Sequence, residues 1–183
     1  DLNNDSCTNI TIKDLTLKGG TAGTLLRVGS TADCSGLSVE DVAFVGGSWG
    51  IYVANDSGNG NNKGTNNISV SGCTFDGMTY AGIYAERGNL SVSNCEFSNI
   101  TKDEGTAAGV LFSTEHFGTT TYTLSVTDSS FKNITGTKAD NKATGGVSIT
   151  GTGTGTVDSF ILTNNRFEGN TYDLHIGKVD GAP

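Results

Sequence analysis

The apolar positions of this chain follow a broken period that recurs six times. In Ile68-Ser-Val-Ser-Gly-Cys-Thr-Phe75 and Leu90-Ser-Val-Ser-Asn-Cys-Glu-Phe97 the apolar side chains stand first, third, sixth and eighth. Leu124-Ser-Val-Thr-Asp-Ser-Ser-Phe131 and Phe160-Ile-Leu-Thr-Asn-Asn-Arg-Phe167 follow the same plan, with Ser129 and Asn165 as polar exceptions at the sixth place. Upstream, Leu37-Ser-Val-Glu-Asp-Val-Ala-Phe44 and Ile10-Thr-Ile-Lys-Asp-Leu-Thr-Leu17 complete the set. Side chains of a strand alternate between faces, so both apolar pairs point inward only if the backbone turns a corner between them. The residues at that corner are Lys13-Asp14, Glu40-Asp41, Ser71-Gly72, Ser93-Asn94, Thr127-Asp128 and Thr163-Asn164. Asp, Asn and Gly tolerate the left-handed backbone that such a corner needs. Each unit is therefore predicted to be two short strands joined by a tight turn.

A weaker repeat follows each unit: Leu25-Leu-Arg-Val28, Gly50-Ile-Tyr-Val53, Gly82-Ile-Tyr-Ala85, Gly109-Val-Leu-Phe112, Gly146-Val-Ser-Ile149 and Asp173-Leu-His-Ile176. It supplies a third strand. The eighth positions fall at 17, 44, 75, 97, 131 and 167, giving periods of 27, 31, 22, 34 and 36 residues. The shortest reads as a bare coil and the excess in the others as loop. One such coil cannot bury its own apolar face, whereas stacked coils share a continuous core. The prediction is an all-β fold: a right-handed, single-stranded parallel β-helix of about six coils, three short strands per coil, with residues 1–183 as one domain. At a strand spacing of about 4.8 Å the column is roughly 29 Å tall. A β-sandwich also alternates, but hairpin signals do not separate these units and the copies are too alike.

Stacking places Leu17, Phe44, Phe75, Phe97, Phe131 and Phe167 in one inward ladder, read as core. Leu15, Val42, Cys73, Cys95, Ser129 and Asn165 form another, in which the Asn165 amide needs partners. Cys73 and Cys95 are expected as buried free thiols, because parallel side chains on adjacent strands hold their Cβ atoms wider than the ~3.8 Å of a disulfide. Cys7 and Cys34 lie one coil apart in loops and are candidates for a disulfide stapling the first two coils; no Cys-x-x-Cys spacing points to zinc. On the outward side of the third strand fall Arg27, Tyr52, Tyr84, Leu111, Ser148 and His175. Tyr52 over Tyr84 is expected to make an exposed aromatic pair flanked by Arg27, with Glu86 and Arg87 nearby. These five residues are the candidate ligand-binding face, for sugar stacking or for a protein. The plainer reading is a ladder on a solvent-facing sheet, whose truncation at Tyr84 leaves stability nearly intact.

Composition narrows the partners. The chain holds 27 glycines without a Gly-X-Y period, which excludes collagen. Its 34% of hydrophobic residues are spread evenly, which argues against bulk disorder. A net charge of −8 without a clustered basic face argues against nucleic acid. The longest apolar run, Ala107 to Phe112, is far short of a membrane span, so no membrane insertion is expected of this segment. With Asp1 as its first residue the chain is read as a segment of a longer extracellular or cell-surface protein. Sequons begin at Asn4, Asn9, Asn55, Asn67, Asn89, Asn99 and Asn133, and are read chiefly as turn and surface residues. Thr150 to Thr156 alternates threonine with glycine as a low-complexity loop. It is not an ice-binding face, since Thr-x-Thr does not recur coil after coil.

The coil pattern resembles the pectate-lyase-like β-helix superfamily, and more narrowly the repeats of chlamydial polymorphic outer-membrane proteins and methanogen adhesin-like proteins. Phe97-Ser-Asn-Ile100, Phe131-Lys-Asn-Ile134 and Phe167-Glu-Gly-Asn170 approximate the Phe-x-x-Asn element of those repeats. Gly145-Gly-Val-Ser-Ile149 and Ala108-Gly-Val-Leu111 approximate their Gly-Gly-Ala-Ile element. The resemblance spans nearly the whole chain. The superfamily also implies polysaccharide lyases and hydrolases. A lyase needs an Arg or Lys base beside acidic calcium ligands, and an inverting hydrolase needs two carboxylates about 6.5–9.5 Å apart. Nothing here resembles the Asn-Thr-Asp, Asp-Asp, Gly-His-Gly and Arg-Ile-Lys set of polygalacturonases. His116 and His175 have no acidic partner by spacing, while Asp56, Glu86, Asp103 and Glu115 fall near loop edges. No catalytic residue is assigned, and calcium at a carboxylate cluster around Asp56 is the one cofactor considered.

The expected function is that of a non-catalytic extracellular segment of an adhesin-like surface protein. It binds a glycan, or a host or cell-surface protein, through one exposed strand face and the loops Ala54 to Asn66, Ser113 to Tyr122 and Thr135 to Thr144. The alternative is a polysaccharide-active lyase or hydrolase.

Overall fold

The computed structural model describes residues 8–30, 32, 34–54, 67–114, 121–136, 143–151 and 156–177, and every regular element among them is a strand. The first coil holds β1 (Thr11–Lys13), β2 (Thr16–Lys18) and β3 (Thr24–Val28). The second holds β4 (Leu37–Glu40), β5 (Ala43–Val45) and β6 (Trp49–Val53), and the third β7 (Asn67–Ser71), β8 (Thr74–Asp76) and β9 (Ala81–Ala85). The fourth coil contains β10 (Asn89–Ser93), β11 (Glu96–Ser98), β12 (Thr101–Lys102) and β13 (Ala108–Ser113). The fifth contains β14 (Thr121–Thr127), β15 (Ser130–Lys132), β16 (Thr135–Gly136) and β17 (Gly145–Thr150). The sixth has β18 (Thr156–Thr163), β19 (Arg166–Glu168) and β20 (Leu174–Gly177).

Each strand pairs in parallel with its counterpart one coil away. Three six-stranded sheets result, ordered β1-β4-β7-β10-β14-β18, β2-β5-β8-β11-β15-β19 and β3-β6-β9-β13-β17-β20. The fold is a three-sheet parallel β-helix of six coils around one core. Register runs eighth position to eighth position, Phe44 to Phe75 to Phe97 to Phe131 to Phe167. Those rings stack 4.7, 4.7, 4.7 and 5.0 Å apart with planes within 11° of parallel.

The predicted corner is present in every coil. Its fifth residue takes positive φ at Asp14 (55°), Asp41 (51°), Gly72 (62°), Asn94 (52°), Asp128 (51°) and Asn164 (56°). A second corner, which the sequence pattern did not reveal, follows two residues after the phenylalanine, at Gly46, Gly77, Asn99, Asn133 and Gly169. It turns the next residue inward, so that Met78, Ile100 and Ile134 are fully buried, and it leads into a fourth, two-stranded sheet of β12 and β16. The asparagines that suggested one motif therefore occupy two different places. Asn99 and Asn133 are corners, and their amides donate along the column to Asp76 at 2.8 Å and to Asn99 at 3.3 Å. Asn170 instead takes the inward place of Ile134. Its amide accepts from the Ile134 N–H at 2.9 Å and donates to the Phe131 carbonyl at 3.1 Å.

Asn165 solves its buried-amide problem in the same way, accepting from the Ser129 N–H at 3.0 Å and donating to the Val126 carbonyl at 2.8 Å. One rung earlier, the Ser129 hydroxyl accepts from the Cys95 N–H at 3.1 Å and donates to the Thr127 carbonyl at 2.8 Å. Cys73 and Cys95 are buried free thiols, as expected. Cys34 is buried rather than set in an open loop. Cys7, and with it the suggested disulfide, lies outside the described residues. The glycines that open the third strand have a packing cause. A Cβ on Gly50, Gly82, Gly109 or Gly146 would lie 2.5–2.7 Å from a ring carbon of Phe75, Phe97, Phe131 or Phe167 respectively.

Candidate functional site

The outward ladder of the third sheet is in the predicted register: Arg27, Tyr52, Tyr84, Leu111, Ser148, His175. Its environment differs from the expectation. Leu111 and Ser148 are buried, and Tyr52 and Tyr84 are half-buried rather than exposed. The two tyrosine rings stack 5.1 Å apart at 13°. Trp49 stacks 5.5 Å from Tyr52, and Tyr80 lies 5.4 Å from Trp49 and 6.0 Å from Tyr84. Sequence reasoning missed Trp49 and Tyr80 because neither falls on the period-two ladder; the density of aromatic residues at the start of β6 and β9 was the available signal.

Glu86 ties the pair together. It follows β9 directly, is 8% exposed, and accepts the Tyr52 hydroxyl at 2.8 Å on one oxygen and the Tyr84 hydroxyl at 2.7 Å on the other. Burial, reinforced by the neighbouring Glu86 carboxylate, raises both phenol pKa values above the ordinary 10.0. Both rings therefore stay neutral donors to a carboxylate. Their faces are turned to one another along the column, so they present edges outward, and an apolar sugar face needs a ring face. Arg87 does not join this group. It is fully buried, and its guanidinium donates to the carbonyls of Ala54 at 2.7 Å, Gly29 at 2.6 Å and Ala32 at 2.8 Å.

Tyr84→Phe is expected to lower stability by about 1–3 kcal/mol, because the buried carboxylate loses one donor. Urea unfolding at neutral pH measures it. In the wild type the raised phenol pKa values favour the folded state only while the unfolded phenols remain neutral. Stability is accordingly full below the unfolded value near 10 and declines as pH climbs beyond it. Tyrosinate absorbance from this pair should appear together with unfolding and not before it.

A second surface lies on the outward side of the first sheet. Ser38, Ser69, Ser91 and Ser125 stand in register on β4, β7, β10 and β14. With Asn67, Asn89, Thr123 and the adjoining backbone they line a trough of about 310 Å³. Asn89 fixes its rim, donating to the Asn67 amide oxygen at 2.9 Å and accepting from the Thr123 N–H at 2.9 Å and the Thr123 hydroxyl at 3.2 Å. The serines occupy the second place of the repeat, which the sequence shows plainly, but an outward serine on a strand carries no signal until four of them align. Small side chains make the floor low. Hydroxyls and amides both donate and accept hydrogen bonds, which suits an uncharged polyol.

Among the described residues no group of three or more His, Cys, Asp or Glu is placed to hold a metal ion. Asp56, Glu115 and His116 lie outside the described residues. In comparisons with models of protein families, with curated proteins and with solved structures, nothing matches this chain.

Proposed function

We propose that this chain is the glycan-binding segment of an adhesin-like cell-surface protein, and that the glycan lies along the trough from Ser38 to Ser125. The coil is proposed to be right-handed and of the pectate-lyase-like kind, in keeping with the strong preference of parallel crossovers for that hand. The observation that carries the reading is the repetition itself. Four coils offer the same hydroxyl at the strand spacing of about 4.8 Å, and only a ligand that also repeats can use every rung. An extended polysaccharide does so. Its hydroxyls meet serine and asparagine side chains held by a rigid sheet, so little ordering is needed on binding.

The test is a glycan array probed with the wild type and with Ser69→Tyr and Ser91→Tyr, each of which fills the trough from an exposed strand position. Binding of one polymeric glycan by the wild type, weakened roughly tenfold or more in both variants at unchanged melting temperature, is the expected result. Absence of any glycan ligand, or binding indifferent to the filled trough, overturns the proposal. Release of shortened or unsaturated products from a bound polymer overturns its non-catalytic half in favour of a lyase or hydrolase.

A further inference from the structure

β4, β7, β10 and β14, the strands that line the trough, contain one charged residue between them, Glu40 at the end of β4. The outward side chains of the other three strands form an uncharged grid. Asn67, Ser69 and Ser71 stand in register with Asn89, Ser91 and Ser93, and the last two of these with Ser125 and Thr127. The one aromatic residue on the four strands, Tyr122, is packed into the core. A ligand on this face therefore meets hydroxyls and amides, with no ring to stack on and no cation to pair with.

Glu40 reaches the trough through Ser38. The Ser38 hydroxyl, which lines the trough, donates to Glu40 Oε1 at 2.6 Å, so a carboxylate stands one hydrogen bond away from the lining. Asp41 at the corner after β4 and Asp128 at the corner after β14 add negative charge along the same side. Lys13 is in register with Glu40 on β1, one rung outside the trough, and Asp14 follows it directly.

These charges decide which glycan the face accepts. A uronate or a sulfate ester laid across β7, β10 and β14 gives up water, finds no positive partner there, and lies beside the Glu40 carboxylate. A polymer of protonated amino sugars repeats its charge at every residue, whereas Glu40 answers only one of them. A neutral sugar meets neither penalty, since its hydroxyls both donate to and accept from serine, threonine and asparagine. On the reading of the trough as a glycan site, on which this inference rests, we propose that its ligand is an uncharged polysaccharide and that Glu40 is the residue that turns acidic ones away.

Biolayer interferometry tests this, with immobilised glucan, mannan and galactan as neutral probes and polygalacturonate and alginate as acidic ones, at low and at near-physiological salt. The wild type is expected to bind at least one neutral polymer and neither polyuronate. Glu40→Gln, which keeps an acceptor for Ser38, should hold neutral binding within about twofold. Glu40→Lys should gain binding to a polyuronate by roughly tenfold or more, and rising salt should remove the gain. Melting temperature and far-ultraviolet circular dichroism show that the variants are folded, and the wild-type panel decides the ligand class even if the lysine variant is not. A polyuronate bound by the wild type as tightly as any neutral polymer, and lost in Ser69→Tyr, overturns this inference while leaving the trough as a glycan site. Polyuronate binding that a folded Glu40→Lys does not raise overturns the part assigned to Glu40. Binding of no polymer in this panel or on the glycan array overturns the reading of the trough itself, and this inference with it.

Discussion

Phe97→Ala is expected to destabilise the chain by about 3–5 kcal/mol, the range for emptying a large aromatic site in a core that relaxes only in part. Phe97 is 1% exposed and lies between Phe75 and Phe131, with both rings 4.7 Å away. Truncation therefore removes two stacking contacts as well as the buried area, and each such contact is worth about 0.5–1.5 kcal/mol beyond burial. In a column where a coil touches only its neighbours, the loss falls on the junctions that hold the first three coils to the last two. Urea titration should show a lower midpoint together with a broader transition. Gly82 supplies a sharper check. A Cβ there would lie 2.6 Å from a Phe97 ring carbon and 2.8 Å from the Gly109 carbonyl oxygen, so Gly82→Ala alone should cost about 1–3 kcal/mol as overpacking. Once the ring is gone, half of that conflict is gone with it. The double variant should thus be less damaged than the two single costs added together. Strict additivity, or a Phe97→Ala cost below about 1 kcal/mol, would contradict the packing between ring and glycine.

What could be seen in the sequence was whatever the stacking repeats. The slip in apolar period at the fourth and fifth positions required a corner, and the Asp, Asn and Gly residues there take positive φ in all six coils. The phenylalanine ladder, the inward ladder of Cys73 and Cys95 and the outward register of the third strand followed from aligning the copies. The second corner escaped because its residues alternate between Gly and Asn, and the asparagines blended with Asn170, which has a different task one residue further on. The candidate site was less legible for a physical reason. Tyr52 and Tyr84 were placed in the right row, but their partner Glu86 stands beyond the end of β9, where period says nothing about direction. A carboxylate at a strand end usually faces water; here two phenol hydroxyls keep it inside. The trough was hidden in the opposite way, since its serines are unexceptional one at a time and gain meaning only from register.

These surfaces divide the labour of the column. The aromatic cluster on the third sheet consumes its own ring faces and hydrogen-bonding hydroxyls internally, and so it stiffens the second and third coils. The first sheet carries low side chains in register across four coils, of which Ser38 donates to Glu40 and Asn89 bonds Asn67 and Thr123. For the glycan proposed above, hydroxyls held in register by paired strands would need little further ordering on binding.

Arg87→Met should cost at least about 3 kcal/mol, since three buried carbonyls each lose a charged donor at about 1–3 kcal/mol apiece. The geometry explains why an arginine is buried in a column whose interior is mainly apolar. Arg87 follows the third strand of the third coil, and reaches Ala54 just beyond β6 in the second coil and Gly29 and Ala32 just beyond β3 in the first. At those points the chain leaves one sheet and has not yet joined the next; the Gly29 carbonyl there also accepts the Ala32 N–H at 3.1 Å. A guanidinium offers five N–H groups in a flat fork and can satisfy several acceptors at once; an ammonium on a single flexible stem cannot match that spread. Arg87→Lys should therefore recover only a minor part of what Arg87→Met loses. The damage should also be local. Hydrogen exchange is expected to accelerate in β3, β6 and β9 of the Met variant while β15 and β17 keep wild-type protection. A Met variant as stable as the wild type, or a Lys variant that restores full stability, would mean that charge or bulk suffices there and that the three-way clamp does not hold the first three coils together.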